Sequence, residues 1–150
     1  MNVTRILPGT RPDADIYALT DSRLSLGRSL EEVASALLGA GVRILQYREK
    51  EMDGGEMLEQ CRLLRRLTRD ASACIIIDDH VDIALLCGAD GVHVGQTDIP
   101  VPDVRALVGP DMIIGLSTHS PDQARAAAAA GADYIGVGPI FATRTKRNVC

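Results

Sequence analysis

The chain has 150 residues, a net charge of −4, and a hydrophobic fraction of 46% with only 3% aromatic residues and no tryptophan. This size is that of one domain with a real core, and the aliphatic composition suits a parallel sheet covered by helices. The negative charge argues against general attraction to nucleic acid or membranes, and no segment has the pattern of a membrane span or a signal peptide. We therefore expect a cytoplasmic protein with neither nucleic acid nor membrane as a partner.

The cysteines carry no recognisable metal or disulfide pattern. Cys61, Cys74, Cys87 and Cys150 include no C-x-x-C pair and have no histidine cluster beside them. The spacing predicts buried or incidental thiols in a reducing compartment.

Along the chain, short apolar runs alternate with longer amphipathic stretches. Residues 1–14 have two prolines, a glycine and no clear period, which predicts a flexible leader before one domain over residues 15–150. Six runs rich in Ile or Val then have the length of strands. They are residues 16–20, 43–48, 74–78, 91–95, 113–117 and 134–138.

Helix signals fill most of the gaps between these runs. Capping-box spacing occurs three times, the last with Pro121 at the first helical position, and predicts three helix starts. The pairs are Ser29 with Glu32, Asp53 with Glu56, and Ser120 with Gln123. An apolar face formed by Leu58, Cys61, Leu64 and Leu67 predicts the second helix, and residues 81–86 a further one. The alanines at 126–130 predict a helix that ends at Gly131.

Three helix ends resemble one another: GAGVRILQ (39–46), CGADGVHVG (87–95) and AGADYIGVG (130–138). This repeat of helix, glycine and strand predicts βα units and a parallel sheet with right-handed crossovers. An open doubly wound sheet and a (β/α)8 barrel both fit. No G-x-G-x-x-G follows the first strand, and polar residues follow nearly every strand, which favours the barrel.

The end of the second strand carries Gln46, Arg48 and Lys50 at alternating positions, so they share one face of an extended chain. Two cations and an amide suit a phosphate or diphosphate. The alternative is an ordinary ion pair at the rim with Glu49 or Glu51, which charge runs usually form.

Carboxylates follow the third and fourth strands. Asp78 and Asp79 come directly after CIII, and Asp98 follows GVHVG. Two carboxylates at neighbouring strand ends suit Mg²⁺ bound together with substrate phosphates. For Asp79 the alternative is capping of the next helix. His93 lies inside a strand, which favours a role in a core layer over catalysis.

Hydroxyls follow the last two strands. Ser117 can hydrogen-bond a substrate, and His119 precedes the Ser120 cap. A hydrolytic Ser/His pair is disfavoured because no G-x-S-x-G is present. Thr143, Thr145 and Lys146 suit phosphate binding, with a solvated basic loop as the alternative. Together the strand ends predict a site for a diphosphate held by Mg²⁺, Lys and Arg.

The segments QYREK, IIIDD, GADGVHVGQTDIP, IIGLSTHS and YIGVGPIFATRTK, in this order and spacing, resemble the bacterial thiamine-phosphate synthase family. The resemblance runs from about residue 16 to about residue 147. It implies a TIM (β/α)8 barrel and a Mg²⁺-dependent transferase. The implied reaction joins hydroxymethylpyrimidine diphosphate to a thiazole phosphate, giving thiamine phosphate and pyrophosphate.

The resemblance also implies roles for individual residues. Lys50, Ser117 and Lys146 are the catalytic candidates, and Asp79 and Asp98 the metal ligands. The substrate-binding set comprises Gln46, Arg48, Lys50, Asp78, Ser117, Thr143, Thr145 and Lys146. The implied mechanism, in which pyrophosphate leaves before the thiazole nitrogen attacks, needs charge neutralisation rather than a protein nucleophile.

Departures from the family pattern set the alternatives. Asp78 stands where the family usually has Asn, Ala142 where proline is common, and two further strands are not matched. We expect a barrel truncated to about six βα units, from a premature stop, as a fragment, or in a chain that pairs as a homo-oligomer. The alternatives are an impaired remnant that only binds the pyrimidine diphosphate, and the related thiazole tautomerase, which usually lacks the full set of Lys50, Asp79 and Asp98.

Overall fold

The structure, a computed structural model, describes residues 16–141. The predicted leader at residues 1–14, Cys150 and the loop with Thr143, Thr145 and Lys146 lie outside these residues. The chain divides into two compact units, of which the first ends at Val92 and the second begins at His93. Across residues 16–141 no helix combines the length and the apolar character needed to cross a membrane.

The first unit alternates strands and helices. Its elements are β1 (Tyr17–Leu19), α1 (Leu30–Gly39), β2 (Ile44–Tyr47), α2 (Gly54–Asp70), β3 (Cys74–Asp78) and α3 (Val81–Cys87). β2 pairs in parallel with both β1 and β3, with Ile44 opposite Tyr17 on one side and Cys74 on the other. Every residue of β2 is buried, and Ile75, Ile76 and Ile77 of β3 have no accessible surface, so these strands form the centre of the core.

The second unit continues the same alternation. β4 (Gly91–Val94) crosses the boundary between the units, and α4 (Val101–Val108), β5 (Ile113–Thr118), α5 (Pro121–Ala129) and β6 (Tyr134–Val137) follow. β5 and β6 are parallel, with Gly115 opposite Tyr134. The core contains Val104, Ile114 and Ala127, each with no accessible surface. Residues 16–141 thus form an α/β fold whose six strands match the six predicted runs.

Helix α4 was not predicted from the sequence. It begins after Pro100, which is its N-cap, and Pro102 lies in its first turn. A proline costs no hydrogen bond there because the first N–H groups of a helix have no partner within it. Two prolines that suggest a loop therefore mark a helix start.

The predicted caps have mixed outcomes. The Ser29 capping box is confirmed, because the Ser29 hydroxyl accepts from the Glu32 N–H while the Glu32 carboxylate accepts from the Ser29 N–H. Ser120 caps α5 as predicted, although Gln123 accepts from the N–H of His119 rather than of Ser120. The predicted box at Asp53 is wrong, since its side chain makes no cap hydrogen bond.

The buried face of α2 lies one residue from the predicted one. Cys61 and Leu64 are buried as predicted, but Met57 and Thr68 complete the face. Leu58 and Leu67 are only half-buried. The spacing of the buried set is that of a regular helical stripe, and leucine content alone selected the wrong neighbours. Cys61, Cys74 and Cys87 are buried and form no disulfide, as predicted.

Four helices end in the same hydrogen-bonded turn. In α1, the N–H of Gly41 donates to the Leu38 carbonyl and that of Val42 to the Leu37 carbonyl. This is the Schellman pattern, which satisfies carbonyls at the helix end and needs a left-handed residue after the cap. Gly88 and Gly131 occupy that place after α3 and α5, as the repeated sequence predicts, and Ser72 occupies it after α2.

A second repeated arrangement, here called the strand clamp, joins a helix, a strand and a loop. In the first unit, Asp90 accepts from the N–H of Ile75 at 2.8 Å and from Arg65 of α2 at 2.6 Å. The second unit repeats it, because Asp133 accepts from the N–H of Ile114 at 2.8 Å and from Arg105 of α4 at 2.5 Å. Each aspartate is the second residue after the glycine that ends the preceding helix, so each clamp follows from the G-A-D motif.

Candidate functional site

The end of β2 presents an amide followed by two cations. Gln46 is buried in β2, and its side-chain amide donates to the Tyr17 hydroxyl at 3.0 Å. Arg48 and Lys50 lie just beyond the end of the strand, and the Arg48 N–H donates to the Thr20 hydroxyl at 3.1 Å. The three side chains predicted to bind phosphate therefore lie at or just beyond the end of one strand.

Both cations contact the same carboxylate. Asp78, at the end of β3, lies 2.9 Å from the Lys50 Nζ and 3.8 Å from the Arg48 Nε. Arg48 also binds Asp21 at 2.6 Å, and Lys50 hydrogen-bonds Asp79. We call these five residues the cation cluster. It holds two cations and three carboxylates, so its charge before any ligand binds is −1.

The partners differ from those considered from the sequence. Neither cation pairs with Glu49 or Glu51, because Glu51 binds Arg23 at 3.3 Å and Glu49 accepts from the backbone N–H groups of Lys50 and Glu51. The prediction of a simple rim ion pair with these glutamates is therefore wrong. Partial burial lowers the pKa of the Lys50 ammonium, but the hydrogen bonds and charges of Asp79 and Asp78 outweigh it and raise that pKa above its usual value. Lys50 is fully charged at neutral pH.

Asp79 turns its carboxylate toward Lys50 through an unusual backbone. Its φ is +61°, in the left-handed region where Asp and Asn are the best tolerated residues after glycine. The alternative role of Asp79 as a helix cap is wrong, because His80 is the N-cap of α3 and no side chain caps that helix. The turn therefore places the Asp79 carboxylate against the Lys50 ammonium rather than at the start of the helix.

In the second unit, Asp98 follows β4, and Ser117 lies near the end of β5. The Asp98 carboxylate accepts from the Gly95 N–H at 2.6 Å, which holds it against the turn after β4. The Ser117 carbonyl accepts from the Gln96 side chain at 2.6 Å, and the Ser117 hydroxyl is 2.9 Å from the His93 Nε2. His93 is buried as predicted, and its Nδ1 is 3.0 Å from the Tyr134 hydroxyl.

His119 also lies where the sequence placed it, directly before the Ser120 cap. Its Nδ1 hydrogen-bonds the carbonyl oxygen of Gly138, after β6, and its backbone N–H donates to Gln123. A side chain bound to a backbone carbonyl in this way ties the two strand ends together.

Two residues that contact the predicted site residues were not predicted from the sequence. Asp21 follows the first strand as a polar residue, so the strand-end rule that selected the other acids also applied to it. Tyr134 begins a strand, and its signal was a different one. Gly115 and Gly136 interrupt neighbouring strands, and glycine inside a strand often marks close approach of another group.

Carboxylate oxygens are the donors that Mg²⁺ prefers, and it needs only one or two of them beside waters and phosphate oxygens. Asp79 and Asp98 each supply a carboxylate with lone pairs beyond the hydrogen bonds described. Within residues 16–141 no group of three or more His, Cys, Asp and Glu side chains is gathered for a metal. The chemistry of each carboxylate therefore suits Mg²⁺, and a site that both share with phosphate oxygens stays a prediction.

A family model described as "Thiamine monophosphate synthase" matches residues 16–149. The thiamine-phosphate synthase of Lawsonia intracellularis is 59% identical over 145 residues, which are 97% of this chain and 67% of that relative. The chain belongs to the thiamine monophosphate synthase family.

Two further proteins are also similar to this chain. The thiamine-phosphate synthase of Pelotomaculum thermopropionicum is 57% identical over 92% of this chain and 63% of its own length. The solved thiamine phosphate pyrophosphorylase of Pyrococcus furiosus is 38% identical with a TM-score of 0.81, over 86% of this chain and 62% of that one. The chain thus spans about two thirds of the length of these relatives.

Proposed function

We propose that the chain acts as a thiamine-phosphate synthase, joining hydroxymethylpyrimidine diphosphate to a thiazole phosphate with release of pyrophosphate. Family membership and the names of the relatives support the reaction. The observation that carries the proposal is the cation cluster, in which Arg48 and Lys50 meet at Asp78 beside Asp79. The (β/α)8 barrel that the resemblance implies, the cytoplasmic location and a homo-oligomeric state stay predictions.

The cations of the cluster have a direct role in this reaction. Arg48 and Lys50 would exchange their carboxylate partners for diphosphate oxygens, which carry more charge and accept several hydrogen bonds. Because the reaction releases pyrophosphate, cations that bind the leaving group most strongly as its charge develops lower the barrier. Gln46 and Asp78 would contact the pyrimidine diphosphate from the same strand ends.

The remaining proposed contacts rest on the family resemblance and on residue chemistry. Asp79 and Asp98 would hold Mg²⁺, which supplies charge neutralisation for the leaving pyrophosphate when bound. Ser117 would hydrogen-bond the pyrimidine diphosphate. Thr143, Thr145 and Lys146 would bind phosphate groups of the two substrates. No protein nucleophile is needed, since the attacking atom belongs to the thiazole.

The test is turnover by the purified chain with both substrates and Mg²⁺, measured as the formation of thiamine phosphate. We expect activity that EDTA abolishes. Lys50→Gln and Arg48→Gln should each lower kcat on the order of 100-fold, because each removes one donor to developing charge. Arg125→Gln is the matched control, since Arg125 pairs with Asp122 on an exposed helix face.

Asp79→Asn tests the metal without disturbing the left-handed backbone, which Asn tolerates. We expect it to raise the Mg²⁺ concentration needed for half-maximal turnover. A wild-type chain that binds the pyrimidine diphosphate but forms no product would support the binding-only alternative. Turnover equal in Lys50→Gln and wild type would contradict the role of the cation cluster.

A further inference from the structure

The second unit contains a line of three side chains, of which the proposed function gives a role to Ser117 alone. The Tyr134 hydroxyl is 3.0 Å from the His93 Nδ1, and the His93 Nε2 is 2.9 Å from the Ser117 hydroxyl. The two rings have centroids 5.4 Å apart. We propose that His93, oriented by Tyr134, is a positioning residue that makes the Ser117 hydroxyl a hydrogen-bond donor toward an acceptor atom of the substrate. This inference rests on the proposed function for the identity of that substrate.

The strands are built around this line. A Cβ added at Gly115 would overlap the Tyr134 ring and the His93 Nδ1, and one at Gly136 would lie 3.3 Å from the His93 Cε1. Glycine in a strand interior weakens the strand and is usual where another group approaches closely. The two glycines therefore keep open the space in which the tyrosine and histidine meet, and a larger residue at position 115 would break the line.

The acidities of the three groups set the direction of the hydrogen bonds. A phenol has a pKa of about 10 and is a better donor and a poorer acceptor than an aliphatic hydroxyl. Tyr134 therefore donates to Nδ1 of His93, which places the ring hydrogen on Nε2. That N–H donates to the oxygen of Ser117. Successive hydrogen bonds in one direction polarise one another, so each strengthens the next.

In this arrangement the hydroxyl hydrogen of Ser117 is not given to His93. It can be donated to a substrate acceptor, which is a phosphate oxygen or a pyrimidine ring nitrogen. The Ser117 backbone is fixed at the same time, because its carbonyl accepts from Gln96 at 2.6 Å. The opposite direction would turn the Ser117 hydrogen into the imidazole and leave an oxygen that only accepts.

Nitrogen NMR of the 15N-histidine-labelled chain tests the direction without substrate. We expect His93 to be neutral with its hydrogen on Nε2, and the signals that disappear in His93→Gln identify it. His119 is an internal control of the opposite kind, because its Nδ1 faces the Gly138 carbonyl, which only accepts. Tyr134→Phe should change the His93 signals and leave those of His119. A hydrogen on Nδ1 of His93 in the wild-type chain would overturn the inference.

Steady-state kinetics test the role of the line. The amide nitrogen of Gln replaces Nε2, whereas Asn reaches only the place of Nδ1, so His93→Gln keeps a donor for Ser117 and His93→Asn does not. We expect His93→Asn and Tyr134→Phe to lower kcat by about 10- to 100-fold through loss of orientation, with KM changed less than kcat. The kcat of His93→Gln should lie within roughly fivefold of the wild-type value. Equal loss in the Gln and Asn variants would overturn the inference.

Tyr47→Phe is the matched control for Tyr134→Phe, since it also removes a phenol hydroxyl from a hydrogen bond, here to Gln60 at 2.9 Å. We expect it to leave kcat unchanged. Binding of inorganic pyrophosphate with Mg²⁺ to Ser117→Ala then identifies the acceptor. Weaker pyrophosphate binding indicates a phosphate oxygen, and weaker binding of the pyrimidine diphosphate alone indicates the ring. If neither weakens, Ser117 is not the donor and the inference fails.

The two proposals fail separately. A wild-type chain without turnover contradicts the proposed synthase activity, and the NMR experiment still decides the direction of the line. An active chain whose His93 carries its hydrogen on Nδ1 retains the synthase function and loses the inference.

Discussion

At the scale of single residues, Asp78 distinguishes this chain from the pattern that its family resemblance implies, which has Asn. Its carboxylate is only 11% exposed and lies 2.9 Å from the Lys50 Nζ. An amide there would leave Lys50 with one carboxylate partner instead of two. The aspartate therefore competes with any anionic ligand for both cations of the cluster.

Asp78→Asn should tighten binding of the pyrimidine diphosphate in the presence of Mg²⁺. We expect a Kd lower by about tenfold, the equivalent of roughly 1.4 kcal/mol, because one carboxylate no longer has to be displaced. Isothermal titration calorimetry measures this directly. Asp122→Asn, which changes an exposed i,i+3 ion pair, is the control. Weaker binding in Asp78→Asn would show that the carboxylate itself serves the ligand.

At the scale of elements, the Schellman turns explain what the repeated sequences encode. Glycine accepts a left-handed backbone without a Cβ penalty, so the glycines after α1, α3 and α5 predict these helix ends directly. Ser72 makes the same turn after α2 with a φ of +53° and was not predicted. A serine gives no sign of a left-handed backbone, because the strain is imposed by the surrounding chain.

Ser72→Gly should raise the free energy of unfolding by up to about 1 kcal/mol, since relief of the left-handed strain exceeds the extra entropy of glycine. The Ser72 side chain is exposed, so the change removes no buried contact. Gly131→Ser is the reciprocal control and should cost about 1 kcal/mol, because Gly131 has a φ of +86° and open space beside it. Urea denaturation measures both. A lower midpoint for Ser72→Gly would contradict this account.

At the scale of the molecule, within residues 16–141, the sequence predicted the six strands, the parallel direction of the described strand pairs, and the gathering of Arg48 and Lys50 with carboxylates that follow the third strand. These follow from period-2 alternation and from the common direction of parallel strands. The particular partners did not follow. Asp21 rather than Glu49 binds Arg48, because the choice among nearby carboxylates depends on turn geometry and rotamers that spacing leaves open. Helix α4 was not predicted because Pro100 and Pro102 are not accompanied by the capping-box spacing that indicated the other helix starts.

The stability of the folded chain should depend on Glu49 in acid. Burial raises the pKa of Glu49, but the Ser22 hydroxyl and the N–H groups of Lys50 and Glu51 outweigh it and hold that pKa below its ordinary value of 4.5. A depressed folded pKa contributes stability above the unfolded pKa, and this contribution is lost as the pH falls through the folded pKa. The free energy of unfolding should therefore decline below about pH 4.5.

Glu49→Gln should reduce that acid dependence and cost on the order of 1 kcal/mol at pH 7, because a neutral amide accepts hydrogen bonds more weakly than a carboxylate. Urea midpoints at neutral and acidic pH test this. Glu59→Gln is the control, since the Glu59 side chain is 72% exposed in its pair with Arg62. If both variants keep the wild-type acid dependence, Glu49 is not its source.

The strand clamp has a consequence for how such a chain originates. Each clamp uses one arginine from a helix, the first part of the next strand, and the aspartate of the following G-A-D loop. Nothing in it refers to a particular position in the sheet. A segment that contains all three parts would therefore include the hydrogen bonds that hold its helix, strand and loop together. A tandem copy of such a segment would bring its own clamp, whereas position 43 carries Arg where positions 90 and 133 carry Asp, and so offers no carboxylate for one.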